Sequence, residues 1–263
     1  MPELKNFAGS VAVVVSSCDA FFDAWRPFAT FLRKFWADCP FEIFLIVNHL
    51  RVRSDLLKSI AVGEDQGWSS NMRTALKKIP HPYVLYLQED YFLVSQVQTA
   101  QLAEDFAMAI ASDTDSLCFR ARSKPDEGFR SINDRFGEVP LQSDGRTRCQ
   151  VTLWKRNALE SILRDGETAW NFEARGSART HEMRILSYAR RENTPIPYLM
   201  SAISRGLWMP DAIKLCRDHQ VNIDWNFRPD YSPRPWQRRL RRAIGRSRLR
   251  RELRALAGQE MEI

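Results

Sequence analysis

Tyr83-Val-Leu-Tyr-Leu-Gln-Glu-Asp90, with Tyr91-Phe-Leu-Val94 directly behind it, is the stretch on which the fold turns. Its apolar run has the length of a strand buried on both faces, and Pro80 and Pro82 stop whatever precedes it. Two acids, Glu89 and Asp90, then stand where the strand ends. Upstream, Val11-Ala-Val-Val-Val15 is a β-branched run closed by Ser16, Ser17, Cys18 and Asp19, the pattern of a parallel strand feeding a loop. Between the two runs, Phe21, Trp25, Phe28, Leu32 and Phe35 recur at spacings of three and four, which predicts a helix over 20–37 with Asp19 as N-cap. Phe41-Glu-Ile-Phe-Leu-Ile-Val47 is a further buried strand, ending in Asn48 and His49. Strand, helix, strand in that rhythm is a right-handed βαβ unit. A short helix is expected near 55–60, a loop over 63–67, and a helix over 68–78 capped by Ser69 or Ser70. Ligands collect outside the carboxyl ends of the strands of an open α/β sheet, so the tips at 16–19, Asn48 and Glu89-Asp90 should face one cleft.

Toward the C-terminus the pattern predicts a helix over 98–111, a strand over 116–121, loops and a short hairpin over 123–148, and a strand over 151–154. A helix over 155–163 follows, then Trp170-Asn-Phe-Glu173 and a helix reaching about Tyr188. A last strand over 196–203 leads into Arg205-Gly206-Leu207-Trp208. The expected class is α/β, a mostly parallel central sheet flanked by helices, with no internal repeat.

Composition excludes several alternatives. An ordinary apolar fraction of 44% rules out intrinsic disorder, and 11 Gly rule out collagen. Cys18, Cys39, Cys118, Cys149 and Cys216 are an odd set with no paired spacing, which fits structural thiols in a reducing compartment. No apolar run approaches the roughly 20 residues a membrane-spanning helix needs. Val15-Ser-Ser-Cys18 imitates a lipoprotein signal, but Glu3 and Pro2 in the leading segment and Gly9-Ser10 in the apolar stretch argue against export. The expected location is therefore cytoplasmic. Of the formal charge of +7, the segment from Arg234 to Arg254 holds ten Arg against the single acid Glu252, so the basicity belongs to a tail and the body is near neutral.

The run from Val11 to Asp19, then Gly67-Trp-Ser-Ser-Asn71, then Tyr83 to Leu93 resembles the nucleotide-sugar half of GT-A-fold glycosyltransferases related to family 2, over roughly the first 95 residues. The resemblance implies a Rossmann-like nucleotide-diphospho-sugar transferase fold. In that family the first strand's tip holds base and ribose, a Gly/Ser/Asn helix start lies near the nucleotide, and a DxD-type acidic turn holds a divalent metal on the diphosphate. It thus implies donor contacts from Ser16, Ser17, Asp19 and Asn48, and from Gly67, Asn71, Gln88 and Glu89. Glu89 and Asp90 would carry Mg²⁺ or Mn²⁺. Elementary electrostatics agrees, because carboxylates sit beside a diphosphate only with a hard cation between them. Gln88 replaces the first acid of a DxD, which leaves open a site that uses basic side chains instead. Ordinary readings stand beside these: Asp19 as helix cap, Glu89-Asp90 as a surface turn, and Gly67, Ser69 and Asn71 as any helix start.

An inverting transfer needs a general base for the acceptor hydroxyl, and Trp170-Asn-Phe-Glu173-Ala-Arg175 offers a carboxylate between aromatics able to stack on sugar rings. It resembles the family region where an acid, usually within an ED pair, acts as base; Phe172 precedes Glu173 here, so Glu173 alone carries the role. The competing reading is a helix start with core aromatics. Gln150, Trp154, Trp170, Arg175, Arg205 and Trp208 are candidates for the donor or acceptor pocket, and His181 for a metal or phosphate contact. His219 is a lone histidine, and Asp134 and Arg135 lie in the polar loop region, where acceptor binding and an exposed turn read alike.

Pro229, Pro233 and Pro235 divide the chain into a transferase domain over 1–232, with its acceptor half at about 96–210, and a basic amphipathic helical tail over 233–263. Trp236, Leu240, Ala243 and Ile244 form one stripe of that helix and Leu249, Leu253 and Leu256 another, separated by Gly245. Trp236 with Arg238, Arg239, Arg241 and Arg242 suits an anionic membrane surface, the inner face for a cytoplasmic enzyme. Nucleic acid and a solvated tail are the competing partners. The expected function is transfer of a sugar from a nucleotide-sugar donor to a glycan or lipid-linked acceptor, inverting, in surface polysaccharide or glycoconjugate assembly. The rivals are a nucleotidyltransferase, disfavoured because residues 16–22 lack a Gly-rich loop with Arg and Lys, and a non-enzymatic nucleotide- or nucleic-acid-binding module.

Overall fold

The computed structural model describes residues 2–121, 129–190, 193–225, 227–232 and 234–263. In chain order the elements are β1 Val11–Ser16, α1 Phe22–Phe35, β2 Ile43–Val47, β3 Arg51–Arg53, β4 Leu57–Ala61, α2 Trp68–Leu76 and β5 Tyr83–Gln88. Next come α3 Thr99–Ala111, β6 Ser116–Cys118, β7 Arg130–Ser131, β8 Phe136–Glu138, β9 Thr152–Lys155, α4 Arg156–Ile162, α5 Ala169–Arg175 and β10 Ile185–Tyr188. The chain ends with β11 Ile203–Ser204, β12 Leu207–Trp208, α6 Pro210–Asp218, α7 Pro235–Leu256 and β13 Glu260–Glu262.

Nine strands form the central sheet in the order β4-β2-β1-β5-β9-β6-β10-β8-β7. β4, β2, β1 and β5 are mutually parallel; β9 runs antiparallel between β5 and β6; β10 is parallel to β6 and antiparallel to β8. The period of two along β1 explains the layers. Val11, Val13 and Val15 face the cluster that takes Trp25, Phe28 and Leu32 of α1, whereas Ala12 and Val14 face Met72, Ala75 and Leu76 of α2 and Leu159 of α4. Helices thus cover both faces, as a buried parallel sheet requires. Each of these large apolar side chains contributes about 1.5–3 kcal/mol through burial.

The structure corrects the expected elements in four places. Residues 57–61 form β4, not part of a helix: Leu57 and Ile60 are buried at helix-like spacing, but the free edge of β2 supplies hydrogen-bond partners that a one-turn helix lacks. Asp19 does not cap α1; its carboxylate is turned toward the β2 tip. Helix α5 stops at Arg175, and Ile185–Tyr188, fully buried, enters the sheet beside β6 as β10. The strand expected over 196–203 is reduced to the short β11, paired with β12 and followed by α6, which the sequence reading missed.

The C-terminal helix is fastened to the body. Leu249, Leu253 and Leu256 pack against the main core, and β13 pairs in parallel with β3. A Cβ on the buried Gly245 would stand 2.9 Å from Pro229 Cδ and 3.0 Å from Phe227 O, so only glycine permits this close approach. Within the same segment the buried Arg228 forms a bidentate pair with Asp23 of α1, both contacts at 2.9 Å, and donates to Ala20 O. Among the described residues no helix is long and apolar enough to cross a membrane.

Candidate active site

The carboxyl ends of β1 and β5, the start of α2 and the start of β9 enclose a continuous cleft made of two adjoining cavities. The first, about 260 Å³, is lined by Ser16, Ser17, Gly67, Asn71, Gln88 and Glu89. Gly67 has φ of +89°, which favours glycine and lets the chain turn into α2. Asn71 Nδ2 donates to Asp65 Oδ1 at 2.8 Å, and Ser17 Oγ accepts from Trp25 Nε1 at 2.7 Å. The Tyr86 hydroxyl, buried under this cavity, accepts from Gln88 Nε2 at 2.8 Å and Trp68 Nε1 at 3.1 Å.

Asp19 and Asn48 stand apart. Asp19 Oδ1 accepts the Asn48 N–H at 2.7 Å, Oδ2 accepts those of His49 and Leu50 at 2.8 and 3.0 Å, and Asn48 Oδ1 accepts the Asp19 N–H. The Asn48 amide also donates to Gly63 O. Reciprocal bonds of this kind occupy both side chains, and neither lines the cavity. They form a latch between the tips of β1 and β2.

Glu89 and Asp90 follow β5, each about 6% exposed. Asp90 Oδ2 accepts from Ser201 Oγ at 2.9 Å and Ile203 N–H at 3.2 Å, while the buried Oδ1 has no hydrogen-bond partner. Burial, reinforced by the neighbouring Asp90, pushes the Glu89 carboxyl well above its ordinary range. Burial likewise raises Asp90, against its hydrogen bonds to Ser201 and Ile203. Two buried adjoining carboxylates with an unsatisfied oxygen demand a proton or a cation, so the pair fits a hard divalent ion completed by ligand oxygens. Among the described residues no three His, Cys, Asp or Glu side chains converge, so the pair alone would be the protein's carboxylate share. Arg228 lowers both carboxyls electrostatically.

The second cavity, about 510 Å³, shares Gln88, Glu89 and Trp170 with the first and adds Asp90, Gln150, Glu173 and Arg205. Thr168 starts α5 as a true N-cap, its side chain accepting the Asn171 N–H at 3.1 Å. One turn later Glu173 Oε1 accepts the Cys149 N–H at 2.6 Å, which fixes the carboxylate at the cavity wall. Trp170 stands 78% exposed at the rim of both cavities, an aromatic face with no core role. Arg146 and Thr147, missed in the sequence, hold this wall. Thr147 Oγ1 donates to Phe172 O, and the buried Arg146 donates to the carbonyls of Pro140, Thr180 and Met183. A buried arginine inside a polar loop gives no periodic signal.

Other candidates lie elsewhere. Trp154 and Trp208 are fully buried core residues, Trp208 stacking near Phe92 at 6.1 Å. Arg175 and His181 are exposed and line neither cavity. Arg135 ties the β7–β8 hairpin to the buried Asp105 of α3 at 2.8 Å, and His219 packs edge-on against Phe31 and Phe35. A larger cavity, about 700 Å³, lies between α1 and the C-terminal residues and includes none of the strand tips.

A mostly parallel central sheet of this kind, flanked by helices, is a GT-A, Rossmann-like fold. The structure is similar to that of S. aureus TarS 1-349, with a TM-score of 0.50 and 14% identity, covering 91% of this chain and 71% of that one. TarS 1-349 in complex with UDP-GlcNAc is similar at a TM-score of 0.48 and 14% identity over 72% of this chain, which spans 57% of that one. UDP-glucose pyrophosphorylase complexed with UDP-glucose gives 0.47 and 7% over 69% of this chain and 90% of that one. At such identities the likeness establishes the fold and does not single out family 2. No family model and no curated protein matches the sequence.

Proposed function

We propose that the protein is an inverting glycosyltransferase that moves a sugar from a nucleotide-sugar donor to a glycan or lipid-linked acceptor. The observation that carries this reading is the presence, lining one cavity, of the buried Glu89-Asp90 turn with its orphaned oxygen and of Glu173 anchored on Cys149 N–H. The Ser16, Ser17, Gly67 and Asn71 cavity suits the nucleoside, placing the diphosphate over Glu89 and Asp90. Mg²⁺ or Mn²⁺ held there would neutralise the departing diphosphate, the largest single catalytic contribution expected. Trp170 offers its ring to a sugar. Glu173, with one oxygen committed to Cys149 N–H, keeps Oε2 to take the acceptor hydroxyl's proton as the new bond forms from the face opposite the leaving group.

Calorimetric titration of a panel of nucleoside diphosphates and nucleotide sugars, with and without Mn²⁺, tests the donor half. Saturable, metal-strengthened binding of one base is expected. A folded protein that binds no member of the panel would sink the reading in favour of a non-enzymatic module, and pyrophosphate-driven nucleotide synthesis would favour a nucleotidyltransferase.

A membrane role for α7 belongs to the same proposal. Trp236, Leu240 and Ile244, at spacings of four, are 62, 55 and 44% exposed, with the exposed Arg239 beside them. Arg238 is engaged with Tyr231 and Ser232, Arg241 with Asp230, and Arg242 turns inward, so Arg239 alone of those four keeps an outward charge. The apolar stripe amid basic residues supports docking on anionic lipid, each nearby charge adding about 1 kcal/mol. Sedimentation with phosphatidylglycerol vesicles should fall at least tenfold in a Trp236→Ser, Leu240→Ser, Ile244→Ser variant. Equal pelleting of variant and wild type would refute the docking face.

A further inference from the structure

A third cavity, about 300 Å³, opens where α7 crosses the segment around Phe227 and the β11–β12 turn. Arg205, Arg228, Arg242 and Arg246 all line it, and no carboxylate does. Arg228 spends Nε and Nη2 on Asp23 and Ala20 O, so it is held as a charged wall of the cavity. The other three have no hydrogen bond or ion pair among the described residues, and the Arg242 Nε is buried without an acceptor. Each reaches the cavity by a distinct local device. Arg205 sits at φ of +52°, an uncommon conformation for a residue with a side chain, at the turn of a hairpin. Arg242 and Arg246 are one turn apart on α7 and both border the cavity, beside the Gly245 that lets the helix lie against Pro229.

Three unpaired guanidinium groups around one void repel each other, and a buried N–H donor without a partner is costly; an anion relieves both. Planar guanidinium forks match carboxylate and phosphate oxygens two at a time, and three forks around one void offer more donors than chloride or the two oxygens of a lone carboxylate can accept, which favours phosphate. Position separates this site from the donor. The arginine cavity meets the 510 Å³ cavity at Arg205 and Gly206, and it shares no residue with the 260 Å³ cavity of Ser16, Ser17 and Gly67. The order along the molecule is therefore nucleoside cavity, acidic pair with Glu173, then arginines.

We propose that Arg205, Arg242 and Arg246 bind a phosphate or diphosphate group of the sugar acceptor, at the end of the cleft away from the donor nucleoside. The assignment to the acceptor rests on the transferase reading; the anion site itself does not. A phosphate-bearing acceptor, held there, would present its hydroxyl toward Glu173.

The probe is inorganic pyrophosphate, titrated calorimetrically without divalent metal into the full chain and into Arg246→Gln, Arg242→Gln and Arg239→Gln, with thermal unfolding recorded for each. The expected result is saturable binding that weakens about tenfold or more in the first two variants and stays unchanged in the third, an equal charge loss on the outer face. If Arg242→Gln unfolds, the exposed Arg246 carries the comparison. Equal weakening in all three, or no binding by wild type, overturns the site. Nucleoside diphosphate binding measured on Arg246→Gln separates the sources: an equal loss there would hand the arginines to the donor diphosphate and overturn the acceptor assignment. Pyrophosphate binding that depends on Arg246, in a protein that binds no nucleotide, would remove the transferase reading and leave the anion site standing.

Discussion

Glu173→Gln is expected to lower sugar transfer about 10³-fold while leaving nucleotide binding within twofold of wild type. Gln preserves shape and retains an oxygen for the Cys149 N–H, so the wall formed by residues 146–149 and α5 keeps its place. Only the capacity to accept a proton disappears. A general base contributes typically 10²–10⁴-fold, and 10³ corresponds to about 4 kcal/mol of lost transition-state stabilisation. Because the base acts only in the transition state, kcat should carry the loss and KM for the donor should not. Retention of transfer within threefold would show that Glu173 is a structural ligand of Cys149 and nothing more.

Asp90→Asn should move two measurements in opposite directions. Metal-strengthened nucleotide binding should fall by at least 10²-fold, since one of the two carboxylates proposed to hold the cation is lost. The metal-free variant should nevertheless be more stable than wild type at neutral pH. Burial raises Asp90 to about 6. A carboxyl raised on folding favours the folded state fully at low pH, and that contribution is lost as pH climbs through the raised value. Above about pH 6 the wild type therefore carries a penalty on the order of 3 kcal/mol that Asn lacks, worth about 5–6 °C in melting temperature for a chain of this size. Below about pH 4 the two proteins should melt together. A variant less stable than wild type at pH 7 would mean that the Ser201 and Ile203 bonds to a charged Asp90 outweigh its burial.

The parts of this architecture that could be read from residues alone are those where burial is symmetrical. The runs in β1, β2 and β5 are covered by helices on both sides, so they appear as uninterrupted apolar segments, and their shared carboxyl ends locate the cleft. Edge and late strands lack that signature. In β4 Lys58 and Ser59 face solvent between Leu57 and Ile60, which mimics a helical turn, and β13 has two glutamates in three residues. Site residues divided in the same way. Glu89 and Asp90, at a strand end, and Glu173, an acid flanked by aromatics, line one cavity. Asp19 and Asn48 looked identical to ligand contacts, because a carboxylate at a strand tip hydrogen-bonds backbone as readily as ribose. The arginine cavity was hidden in the tail: ten arginines interspersed with apolar residues give no hint that Arg242 and Arg246 border a cavity while Arg239 faces out.

The pairing of β13 with β3 sets an order of assembly. It brings together residues as much as 209 positions apart in sequence, through the Arg53 and Glu262 side chains as well as the backbone. Closing so long a loop has an entropic cost that local contacts do not share, and such pairings form slowly. The β1-α1-β2 unit, built from near neighbours, can nucleate early; the basic helix and its terminal strand dock afterwards, onto a sheet already made. Folding intermediates of this chain should then present the cavity of Ser16, Ser17 and Gly67 while the arginine wall is still absent, so on the proposed function competence for nucleotide would precede competence for the acceptor's phosphate.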